Sequence, residues 1–178
     1  MAQSKNQRGS LIDMNHLEEL RRSFRPGLIT TLFVGESAPD SGRFFYSSDS
    51  SLFHAMKRAF GSREIFLKDF KKKGFYLDDL VLTPINKLER NERSRQRQEA
   101  IPELAKRLIE YKPKAVVVVM RAILPMVQKA MRMAGISREP FCVPHPAFGN
   151  WTRFSNAMKE IMDSLPVADG GNQKELTA

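Results

Sequence analysis

The sequence predicts an α/β domain of three layers, α/β/α, built on a mostly parallel central sheet. Short uncharged runs rich in β-branched residues, at 28–34 and 115–120, need cover on both faces, as the strands of parallel sheets do. Between the runs, apolar residues recur at spacings of three and four, the period of helices lying on a core. Strand-like and helix-like segments alternate along the chain, the order of repeated βαβ units.

In chain order, residues 1–10 are polar and expected to be disordered, and one domain is expected over 11–166. Asp13 or Asn15 caps a first helix running to Phe24, with Leu17, Leu20 and Phe24 on one face, and Arg25, Pro26 and Gly27 end it. The first strand, 28–34, breaks into a loop of glycine, proline, carboxylate and aromatic residues that extends to Tyr46. Serines 47, 48 and 50 with Asp49 cap a helix over 51–60, whose inner stripe is Leu52, Ala55, Met56 and Ala59. Its N-terminus offers free N–H groups to an anion, unless the serines are ordinary caps.

Residues 65–70 fit a short helix or a strand, and Lys71, Lys72 and Lys73 before Gly74 form a solvated basic tip. A second strand, 75–82, breaks at Thr83, Pro84, Ile85 and Asn86. The mixed-charge stretch 87–99 reads as a solvated face, with a helix starting near Glu99 and Pro102 in its first turn. After Pro113 comes the clearest and most central strand, 115–120, then a helix over 121–133 ended by Gly135. A short last strand, 140–144, delivers His145 to Asn150. Trp151, Phe154, Met158, Ile161 and Leu165 mark a final amphipathic helix, with Trp151 expected to anchor it in the core. Residues 167–178 are expected to be a disordered tail.

Composition bounds the chemistry. With 178 residues, 42% of them hydrophobic, the chain closes a core without metal or disulfide support. Its single cysteine, Cys142, rules out disulfide frameworks and cysteine-rich metal sites, and three scattered histidines suggest no metal site; no cofactor is expected. No run approaches the ~20 apolar residues of a membrane span, and the polar N-terminus lacks a signal peptide's apolar core. A cytoplasmic monomer is expected. The net charge of +9 favours a polyanionic partner, DNA in single- or double-stranded form.

Three strand ends converge in this reading: 35–46, 83–86 and 145–150. His16 and His54 sit in helical patterns, whereas His145 is held between two prolines after a strand.

These residues resemble the uracil-DNA glycosylase superfamily. Its first motif sets Gly, an acidic or amide residue, Pro and then an aromatic after a strand; here Gly35, Glu36, Pro39 and Asp40 are followed by Arg43, Phe44 and Phe45. Its second motif is His-Pro and a small residue, here His145, Pro146 and Ala147. The likeness runs from about Leu28 to Leu165 and is nearest the iron–sulfur branch, without that branch's four cysteines.

The resemblance implies a DNA N-glycosylase, a hydrolase of base excision repair. Uracil or another altered base is flipped out, stacked on an aromatic and cut from its sugar. In that picture His145 stabilises the leaving base, Glu36 or Asp40 orients water or the cationic sugar, and Phe45 is the stacking platform. Gly35, Thr83 and Asn86 bind the base. Pro39, Arg43, Ser48, Pro146, Asn150 and Arg153 contact nucleic acid.

The first motif has one residue more than usual before Pro39, so either Glu36 or Asp40 faces the sugar. The expected base-reading Asn has no clean counterpart: Thr83 holds the approximate position, with Asn86 three residues on. Phe148 and Trp151 offer aromatics for wedging a duplex. Against these roles stand plainer ones, with Phe45 in the core, Glu36 capping a turn and Asp40 in an Asx-turn with Gly42. Two alternatives remain, a catalytically silent nucleic-acid-binding module of the same fold and an enzyme acting on free nucleosides or nucleotides.

Overall fold

The computed structural model describes residues 14–61, 65–147 and 149–168. Four parallel strands form one sheet in the order β2-β1-β3-β4, where β1 is Thr31–Gly35, β2 Phe75–Asp79, β3 Ala115–Val118 and β4 Phe141–Cys142. Every residue of the first three strands is buried, the pattern that both-face cover demands. The register sets Gly35 beside Asp79, and Val34 between Asp78 and Val118.

Helices α1 (Met14–Ser23), α2 (Ser51–Ala59), α3 (Phe66–Lys72), α4 (Arg90–Glu99), α5 (Ile101–Tyr111), α6 (Leu124–Met133) and α7 (Trp151–Met162) complete the described fold. α2 packs on α7, and α5 on α6. The strand order explains this pairing. β1 connects outward to β2 through α2 and α3, whereas β2 leads back past β1 to β3 and then β4 through α4, α5 and α6. Crossovers of one hand running in opposite directions put their helices on opposite faces. Where the direction reverses, between β1 and β3, no helix covers the carboxyl ends of the strands.

The segment 65–70, open between helix and strand, opens α3 as a helix, with Phe66 and Phe70 buried. Residues 90–99 are also helical, contrary to the expectation of a helix beginning only near Glu99. α4 buries no side chain and breaks from α5 at Ala100, which leaves Pro102 in the first turn of α5 as expected. β2 ends at Asp79, three residues before the expected limit. The expected Trp151 anchor is also corrected: its ring is 39% exposed, and Phe154 and Met158 hold α7 to the core instead.

Among the described residues, no helix is long and apolar enough to cross a membrane, and no group of metal-ligating side chains occurs. Asp13, Phe148 and the terminal segments 1–10 and 169–178 lie outside the described residues. At the edge of the last, the Ala168 N–H donates to the Lys73 carbonyl at 2.8 Å.

Candidate active site

The loop after β1 is built from backbone before side chains. The Leu80 N–H donates to the Gly35 carbonyl at 2.8 Å and the Val81 N–H to the Glu36 carbonyl at 2.9 Å, so the first two strand ends leave the sheet as one unit. Further out, the Ile85 N–H donates to Ser37 Oγ at 3.4 Å. The Asp40 N–H donates to Asn86 Oδ1 at 2.9 Å, and Asn86 Nδ2 donates back to the Asp40 carboxylate at 3.2 Å. Two of the three expected strand ends are therefore joined. Gly35 has a steric reason to be glycine, because Asp79 Oδ1 occupies the space a Cβ would need.

The two candidate carboxylates differ. Asp40 pairs with Lys87 at 2.5 Å in a solvent-facing group, and the hydrogen bond from Lys87 holds its pKa below the ordinary value. The side chain of Glu36 is only 9% exposed. Arg93 Nε and Arg97 Nε donate to its Oε1 at 2.9 and 2.6 Å, and the terminal nitrogens of both arginines complete the clamp. Burial opposes its charge, but the hydrogen bonds from Arg93 and Arg97 outweigh burial and lower its pKa. Glu36 is an ionised carboxylate held by two guanidiniums, where a turn cap was the plain expectation. Asp40 makes no Asx-turn with Gly42; the Gly42 N–H donates to the Pro39 carbonyl at 3.3 Å.

His145 follows β4 and is partly buried, with the Ala147 N–H donating to its Nδ1 at 3.2 Å. Because Nδ1 accepts, the neutral ring carries its proton on Nε2 and presents a donor there. Burial lowers the pKa of His145, and the charge of Glu36 partly offsets that effect. The ring is thus kept as neutral imidazole, within electrostatic reach of the carboxylate.

Phe45 departs from the expected platform. It is 3% exposed and packs against Tyr46, Phe53, Phe66 and Phe70 at centroid distances of 5.1 to 6.2 Å. This is a core ring, and no face of it is open for stacking. Its neighbour Tyr46 latches the edge strand, donating to the Leu77 carbonyl at 2.9 Å and accepting from the Leu77 N–H at 2.8 Å. The aromatic run after Arg43 thus fastens the loop to the core.

Of the expected nucleic-acid contacts, Arg43 and Ser48 are exposed, Pro39 half-buried and Pro146 buried. Asn150 and Arg153 line a cleft of about 530 Å³ with Arg121, Pro144, Asn156, Ala157 and Glu160. Thr83 is exposed, and nothing ties it to the other candidates. Ser50 is an ordinary cap, accepting from the Phe53 N–H at 3.1 Å.

Sequence reasoning missed Arg93, Arg97, Arg121 and Asp79. Arg93 and Arg97, four apart, were legible as one face of a helix once 90–99 was read as helical. Arg121 follows β3 at the reversal of strand order. Asp79 ends β2, buried beside Gly35, and its pKa is raised because burial outweighs the pull of Arg21.

The sequence model described as the uracil DNA glycosylase superfamily matches residues 23–165, most of the chain. No curated protein matches it.

Proposed function

Because the chain belongs to the uracil-DNA glycosylase superfamily, we propose that it hydrolyses the N-glycosidic bond of uracil or another altered base flipped out of DNA. The observation that supports this best is His145, a neutral ring with Nδ1 committed to the Ala147 N–H and Nε2 left to donate. As the C1′–N bond breaks, its electron pair leaves with the base, and negative charge builds on a base oxygen. A fixed N–H donor at that oxygen lowers the barrier without reorganisation. Glu36, ionised and close enough to act on His145 electrostatically, supplies the negative charge that a cationic sugar needs. Water then adds at C1′, leaving an abasic site and the free base.

The test is incubation with oligonucleotides carrying uracil, hypoxanthine and other altered bases, with abasic sites detected by alkaline cleavage. Release from at least one of them is expected. No release from any contradicts the proposal.

The clamp on Glu36 and the burial of Phe45 favour a second reading, a silent DNA-binding module of the same fold. It predicts salt-sensitive binding without base loss.

A further inference from the structure

Arg93 and Arg97 stand one turn apart on α4 and direct both guanidiniums at the single carboxylate of Glu36. We propose that they form a phosphodiester-binding fork, occupied in the free protein by Glu36 as an internal substitute for a backbone phosphate, and that a nucleic-acid strand displaces the carboxylate.

The charges do not balance within the clamp. Two cations meet one anion, and the other carboxylates of α4 are engaged elsewhere: Glu92 accepts from Arg95 and Gln96, and Glu99 lies 3.6 Å from Arg95. The fork therefore keeps positive charge that a strand of phosphates would satisfy. Guanidinium forks match phosphate oxygens as well as carboxylates, which makes the two ligands exchangeable.

The fork is also reachable. α4 buries no side chain, and Arg93 and Arg97 remain 28% and 16% exposed within the clamp. Glu36 is free to leave, since its backbone is held independently by the bonds from Leu80 and Val81 to the Gly35 and Glu36 carbonyls. Rotation of one side chain releases the fork without disturbing the sheet. The clamp lies at the carboxyl end of β1, beside the uncovered crevice, so a strand presenting a nucleotide there brings its phosphates within reach of α4.

A consequence follows for the proposed reaction and rests on the base-excision reading. Strand binding frees Glu36 beside His145, so the carboxylate becomes available only when DNA is bound. The exchange itself does not depend on that reading.

The experiment is fluorescence anisotropy of a labelled single-stranded oligonucleotide with the full chain across a salt series. Arg93→Gln/Arg97→Gln should weaken binding and reduce the slope of log K against log salt by about 1 to 1.5, at roughly 0.7 per lost phosphate contact. Glu36→Gln removes the internal competitor and should tighten binding by about three- to tenfold, the scale of one partly screened ion pair. Glu110→Gln removes an equal charge where it pairs with Arg25 and should change affinity less than about twofold. The gain from Glu36→Gln should vanish in the Arg93→Gln/Arg97→Gln background, as a coupled pair requires.

Unchanged or weaker binding by a folded Glu36→Gln protein, or a gain that persists without the arginines, overturns the proposal. Should Glu36→Gln fail to fold, a wild-type salt slope in the double arginine variant overturns it alone. Base release is not read in this assay. A protein that binds in this way and releases no base contradicts the base-excision reading and leaves the fork standing.

Discussion

At the scale of single residues, the environment of His145 determines its behaviour with pH. Burial sets its pKa below the ordinary 6.5, with Glu36 partly offsetting the shift. On acidification the unfolded chain takes up this proton first, so the contribution of His145 to stability is complete above about pH 6.5 and is lost as pH falls through the depressed folded value. His145→Gln should flatten the pH dependence of the denaturation midpoint below 6.5. The difference between the wild-type and variant curves isolates His145, since Asp79 titrates above its ordinary 3.8 on the same acid side. Identical curves would show that the imidazole is not held neutral. Gly35 permits a second prediction. Gly35→Ala drives a methyl group into Asp79 Oδ1 and disturbs a buried ion pair, and it should cost about 2 kcal/mol or more by chemical denaturation.

At the scale of elements, α1 and α4 show how differently charged helices are held. On α1, Arg21 is buried and donates to Asp78, and to Asp79 Oδ2 at 2.9 Å, while Arg107 of α5 donates to Asp78 Oδ2 at 2.8 Å. Arg21→Ala leaves two buried carboxylates undercompensated and should destabilise by roughly 3–5 kcal/mol. Arg22→Ala, at an exposed pair with Glu18 on the same helix, should leave the denaturation midpoint unchanged. α2, α5 and α7 were legible in the sequence because their apolar stripes follow the helical period. α4 was not, because it buries nothing and is held by ion pairs, so no hydrophobic period exists to be read. Trp151 was misplaced for a related reason. Periodicity assigns it to the stripe of Phe154 and Met158, but a first-turn residue overhangs the end of the core. Phe45 failed as a platform because a motif fixes residue order along the chain, whereas the packing of Phe53, Phe66 and Phe70 decides which side of the loop a ring occupies.

At the scale of the whole molecule, the parallel sheet and its alternation of strand and helix were legible because a fully buried strand has a distinctive composition. The strand order was not, since β1 lies between β2 and β3 only through long-range pairing. That order creates the reversal at which the loops after β1 and β3 part, with His145 delivered by β4 nearby. The central claim is that this arrangement cleaves a flipped base from its sugar, with His145 as the donor to the leaving base. Single-turnover kinetics of base release, on the best substrate from the lesion panel, compares wild type with His145→Ala. The account predicts a loss of about 10²- to 10³-fold in the chemical step with DNA affinity retained. Release at an undiminished rate by His145→Ala would contradict it.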